Sequence, residues 1–124
     1  MIVRQHALQI AAVVRQDMAG IRRVSVVRTD GRPFFDDPGD TPAGEDSDAV
    51  AAAVAATVSY ARRAGTALAT GAIDALTIRG REATVVAQPL DDLHVLVVTC
   101  APDVNLVLLG RVLARITATL SPGA

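Results

Sequence analysis

The sequence predicts an α+β fold with the element order α-β-β-α-β-β-β-α. Three observations carry that expectation. Apolar residues at helical spacing open and close the chain, an Asp-Gly pair separates two short strand-like runs, and three further strand-like runs follow Gly71. Two antiparallel hairpin units with helices on both faces make a layered α+β sandwich.

The first helix rests on Val3, Ala7, Ile10 and Val14, with Arg4, Gln5, Gln9, Arg15 and Gln16 largely elsewhere around the wheel; it should end near Gly20. From Arg22 the period changes to a strand through Val24 and Val26. The stretch "SVVRTDGRPFF" then turns at Asp30-Gly31, and a two-residue Asp-Gly loop would supply the positive φ angles of a tight hairpin. The return strand begins "RPFFDD". Pro33 donates no ladder hydrogen bond, so this strand belongs at a sheet edge.

Residues 36–48, "DDPGDTPAGEDSD", hold six of the thirteen acidic residues with two prolines and two glycines. The pattern predicts a loop, and Asp46 and Asp48 favour a helix start electrostatically. An acidic docking or metal-binding role is the alternative, but the spacing of a carboxylate calcium loop is absent.

The second helix, over about 48–64, carries Val50, Val54, Val58 and Ala61 in one stripe. No charge occurs from Ala49 to Ala61. So little polar surface asks for cover on more than one side, and a second copy of the chain would supply it. After "GTALATG" (65–71), read as helix termination and turn, "AIDALTIRG" and "REATVVAQPL" meet at Gly80 as a hairpin. "LHVLVVTC" is apolar enough for a central strand buried on both faces. Leu106, Leu109, Leu113, Ile116 and Leu120 form the last helical stripe, with Asp103 as its candidate cap. The tail 121–124 reads as loose.

At 124 residues the chain reads as a single domain, 1–124, that buries about two-thirds of its unfolded surface. Twelve basic residues, all arginine, nearly balance thirteen acidic ones. That balance gives no footprint for nucleic acid or an anionic membrane, and the absence of lysine excludes P-loop and Schiff-base lysines. No long uninterrupted apolar run marks a signal peptide or a membrane span, so the expectation is a soluble, cytoplasmic protein.

No catalytic, cofactor-binding or metal-binding set is expected. His6 and His94 are the only histidines; His94 with Asp91 or Asp92 is the one acid-base candidate, against the plainer reading of a polar residue at a strand end. Cys100 reads as a buried small hydrophobe. Hydrolase, zinc and dinucleotide signatures are absent, and one tyrosine with two phenylalanines makes no base-stacking platform.

Taken in order, "GIRRVSVVRTDGRPFF", the small-residue helix with acids at its start, "GAIDALTIRGREATVVAQPL" and "HVLVVTCAPDVNLVLLGRVLARI" resemble the Roadblock family over about Leu8 to Leu120. That family comprises roadblock-type dynein light chains and their bacterial and archaeal relatives. The connector "FFDDPGDTPAG" is richer in proline and acid than the family pattern.

The resemblance implies a five-stranded antiparallel sheet, with the middle helix on one face and the terminal helices on the other. It also implies a homodimer through helix 48–64 and strand 72–79, with Val54, Ala56, Tyr60, Arg63, Ile73, Ala75 and Thr77 at the interface. Pro33 on the opposite edge agrees, because it leaves the other edge for pairing. By the same implication the protein is a non-enzymatic scaffold or regulator of a small Ras-like GTPase in a bacterial signalling or polarity system. Arg62 and Arg63 could donate to that partner, or simply complement the helix dipole. The alternatives are a small-molecule sensor of profilin-like or PAS-like architecture and an enzyme built on His94.

Overall fold

The computed structural model describes residues 3–39 and 46–119. Within the described residues eight elements run in the expected order: α1 (Arg4–Asp17), β1 (Ile21–Arg28), β2 (Pro33–Asp37), α2 (Ser47–Ala67), β3 (Leu76–Arg79), β4 (Thr84–Pro89), β5 (His94–Cys100) and α3 (Leu106–Thr119). The strands form one antiparallel sheet in the order β2-β1-β5-β4-β3. The Pro33 strand is one edge and β3 is the other.

Strand alternation divides the core in two. Val24, Val26, Phe35, Val86, Leu96, Val98 and Cys100 face α1 and α3, which contribute Ala7, Ile10, Val14, Leu109, Val112 and Leu113. On the other face Val27, Ala87, Val95 and Val97 meet Ala51 and Val58 of α2. The middle helix therefore covers one face and the terminal helices the other. β5 is buried on both sides, as its unbroken apolar run implies.

Local chemistry departs from expectation in several places. The Asp30-Gly31 hairpin has three loop residues, not two: the Gly31 N–H donates to Arg28 O and the Arg28 N–H to Arg32 O. Of the three loop residues only Gly31 (φ 91°) has positive φ, which matches a type I turn closed by a glycine bulge. Val3 starts the first helix as its cap and is exposed, so the buried stripe is Ala7, Ile10, Ala11 and Val14. The cap of α3 is Asn105, whose Oδ1 accepts from the Leu108 N–H at 3.0 Å; Asp103 lies too far upstream to reach the first turn.

β3 is shorter than the expected 72–79. The Gly80 N–H donates to Ala83 O, and alternation along the register makes Ile78–Val85 and Leu76–Ala87 the next hydrogen-bonded pairs. The pair after that would be Asp74–Pro89, and proline has no N–H to give. The ladder stops there.

Of the loop 36–48, Asp36 and Asp37 belong to β2, and Asp46 caps α2 by accepting from the Ala49 N–H at 2.8 Å. Ser47 and Asp48 open α2, and residues 40–45, together with Leu120 and the tail, lie outside the described residues.

Candidate functional site

The two faces of the sheet are unequally covered. Two helices with large apolar side chains close one, while a single alanine-rich helix lies over the other. α2 packs over β1 and β2, leaving the side toward β3 open. There Val50 and Val54 of α2 face Leu76, Ile78, Val85 and Val97 of the sheet across an apolar groove of about 460 Å³. Ile78, at the free edge, is 51% exposed.

One end of the groove is polar. Arg23 Nε and Nη2 donate to the two oxygens of Asp36, each at 2.8 Å, and Ser25 Oγ donates to Asp36 Oδ1 at 2.7 Å. The Arg23 guanidinium holds the Asp36 carboxyl below the ordinary carboxylate range; burial opposes this and Ser25 adds to it. Arg23 is raised by the same contact.

Because Asp36 is lowered on folding, its contribution is complete above its unfolded value and is lost as pH falls through the folded one. Asp36→Asn should cost about 1–2 kcal/mol at neutral pH by urea unfolding. The gap to wild type should narrow below about pH 4 and close in stronger acid.

The expected interface residues do not share one environment. Ala56, Tyr60 and Arg63 are exposed on α2, with the Arg63 guanidinium 5.9 Å from the Tyr60 ring centroid. Val54 is half-buried against the α2-side core and reaches the groove. Ala75 and Thr77 are exposed on the free-edge side. Ile73 is half-buried and packs over Gly65, where an added Cβ would stand 2.8 Å from its Cδ1, so it already has a partner within the chain. α2 runs to Ala67, which takes Arg62 and Arg63 out of its last turn and removes the dipole reading. Arg62 instead lines a hollow with Asp91 and Asp92.

His94 is buried, with Nδ1 2.9 Å from Asp91 Oδ1 and its ring edge-on to Phe34. Asp91, not Asp92, is its partner. Burial draws the Asp91 carboxyl upward, but hydrogen bonds from the His94 ring and from the Leu93 and His94 N–H groups leave it below the ordinary value. An ionised carboxylate only accepts, so it selects the Nδ1–H tautomer. The arrangement ties the turn before β5 to the sheet. Cys100 is fully buried and its thiol is pushed up to about 11 by desolvation, the state of an inert cysteine.

Among the described residues, no group of three or more metal-ligating side chains is placed to hold an ion, and no helix is long and apolar enough to cross a membrane.

Residues 10–99 match the Roadblock/LC7 domain family. No curated protein matches the chain in sequence. Among solved structures, a Roadblock/LC7 domain from Streptomyces avermitilis superposes with a TM-score of 0.78 at 16% identity, covering 94% of both chains. The gliding protein MglB of Thermus thermophilus gives 0.80 at 13% identity over 94% of this chain and 86% of that one. An MglB in a tetrameric arrangement gives 0.81 at 13% identity over 94% and 85%. At these identities the structural likeness speaks for the fold.

Proposed function

The chain belongs to the Roadblock/LC7 domain family, and from that premise we propose that it acts as a non-enzymatic, dimeric regulator or scaffold of a small Ras-like GTPase in a bacterial signalling system. The observation that carries the reading is the half-covered α2 face. An apolar groove beside a free strand edge, under a helix with no charge from Ala49 to Ala61, is a surface suited to a second copy. The tetrameric arrangement of one structurally similar MglB is in keeping with self-association.

In this reading, helices α2 of two copies lie side by side and the β3 edges join the sheets. Ala56, Tyr60 and Arg63 lie at the helix seam, with Val54 beneath them and Ala75 and Thr77 along the strand seam. Arg62 and Arg63 remain at the rim for the GTPase. Docking there would act on switch loops and so on nucleotide exchange or hydrolysis.

The test has two stages. Light scattering should give a dimer, and Ala56→Glu should raise its dissociation constant at least about tenfold by placing two like charges at the helix seam. Capture from native lysate with GDP or a non-hydrolysable GTP analogue should then enrich a Ras-like GTPase in one nucleotide state. The purified GTPase should change its exchange or hydrolysis rate on adding the wild type but not Ala56→Glu. A stable dimer without effect on any captured GTPase would refute the regulatory reading.

The groove also admits the second reading, a small-molecule sensor, since its volume falls within the usual range for ligand sites. Its polar end is occupied by the internal Arg23–Asp36 pair, which leaves few inward groups to orient a ligand. Ligand-dependent melting of the isolated protein would favour that reading.

A further inference from the structure

The free edge of β3 is charged asymmetrically, and the asymmetry is self-complementary. Asp74 precedes the strand, while Arg79 ends it and Arg81 stands in the following turn. Between them Leu76 and Ile78 face the groove under α2. Thr77 and Arg79, by strand alternation, face the α3 side. Asp74 lines the hollow between this edge and α3, beside Ala75 and Gly110, and so lies on the same side as Arg79.

The backbone restricts how a second copy can join. Leu76 and Ile78 direct their main-chain groups to β4, as the Gly80–Ala83 hydrogen bond and the register require. Ala75, Thr77 and Arg79 therefore present theirs outward. A two-fold axis perpendicular to the sheet, which keeps both α2 helices on one face, makes the strands antiparallel with one residue opposite its own copy.

Four registers centre on a residue of β3, and centring on Arg79 sets that cation against its own copy. Centring on Leu76 sets Leu76 against its own copy but leaves Ile78 opposite Asp74, which lies on the α3 side, so Ile78 gains no apolar partner. Centring on Ile78 sets Asp74 opposite Glu82, a like charge. Centring on Thr77 sets Leu76 opposite Ile78 twice on the groove side and Thr77 opposite Thr77 on the α3 side. Asp74 then falls opposite Gly80, between Arg79 and Arg81 of the second copy. Cross-strand apolar, Thr–Thr and opposite-charge pairs all favour this arrangement.

We infer that two copies join at β3 with Thr77 on the two-fold axis, and that Asp74 of each pairs with Arg79 and Arg81 of the other as reciprocal charge clamps setting the register. The inference rests on the self-association proposed above. It adds what that reading leaves open: which residues oppose one another, and why this edge selects its own copy. At the opposite edge Arg32 and the acids Asp36 and Asp37 are also unlike charges at the two ends, but Asp36 and Asp37 are already paired within the chain, with Arg23 and Arg15, and Pro33 has no N–H to give.

A charge exchange tests it. Asp74→Arg and the double variant Arg79→Asp/Arg81→Asp are each prepared, and dimer dissociation is measured by sedimentation equilibrium at low and high salt. Each variant alone should dissociate roughly tenfold or more readily at low salt, with the difference shrinking at high salt. An equimolar mixture should form the heterodimer in preference to either homodimer, read by native mass spectrometry. In that pair one clamp is wild type and the other is reversed but still complementary.

Unchanged homodimers, or a mixture without heterodimer preference, would overturn the register. A monomeric wild type would remove the self-association reading and this inference with it. All three positions are exposed in a single copy, so circular dichroism should show wild-type folding. If a reversal disturbs the fold, Asp74→Asn, Arg79→Gln and their combination replace it. The combined loss should then be smaller than the sum of the single losses, and an additive result would also overturn the clamp.

Discussion

Leu96→Ala should destabilise the protein by about 3 kcal/mol, within the range for a buried leucine whose surroundings close only in part. Leu96 sits on the central strand, fully buried, with Val26 and Gln88 as its neighbours on β1 and β4. Above it α1 and α3 complete a cluster that includes Leu109, Val112 and Leu113. Sheet on one side and two helices on the other leave the backbone little freedom to move into the space.

The same physics predicts a smaller loss on the α2 side. Val85→Ala, at the margin of the open groove, should cost about 1 kcal/mol, because solvent already reaches the site and less apolar area is lost from burial. Urea unfolding at several protein concentrations checks both values. If α2-side truncations are the costlier at high concentration, a second copy is contributing cover, since self-association adds to apparent stability by mass action.

Thr77→Pro should raise the dimer dissociation constant by roughly a hundredfold or more while leaving each copy folded. The Thr77 N–H points away from β4, so removing it breaks no hydrogen bond within the chain. In the proposed pairing Thr77 lies at the centre of the joined edges, so proline there would remove one donor from each copy and both rings would press on the seam. Sedimentation equilibrium measures the change, and a thermal melt at low concentration reports the fold. A wild-type dissociation constant in this variant would exclude β3 from the interface. Thr77→Val, which keeps the N–H, should remain within a few-fold of wild type, separating backbone pairing from the side chain.

The elements that were legible in the sequence were those whose signal is repeated along the chain. The α3 stripe of Leu109, Leu113 and Ile116 and the apolar run of β5 each state their environment several times over, and the structure agrees. Single-residue signals fared less well. Asp103 and Asn105 are both acceptable caps in composition, and only the backbone path decides that Asn105 reaches the Leu108 N–H. The Asp30-Gly31 pair fits a two-residue or a three-residue loop equally, and the choice depends on how the strands pair. Asp36 and Asp37 read as loop acids because their partners, Arg23 and Arg15, are 13 and 22 residues away.

The candidate site divides in the same way. A helix without charge from Ala49 to Ala61 and a proline on one edge strand are visible in the composition, and both favour a second copy as cover. The sequence alone determined the class of the fold, the order of its elements and the helix that needs cover, because hydrophobic periodicity is a local property. Only the tertiary structure decided that α2 leans over β1 and β2 and leaves a groove beside β3, that Ile73 is taken up by Gly65, and that β3 ends where Pro89 cannot donate. Those are relations between residues far apart in the chain. No local period encodes them, and they emerge when the sheet's hydrogen bonds and the helices' packing are satisfied together.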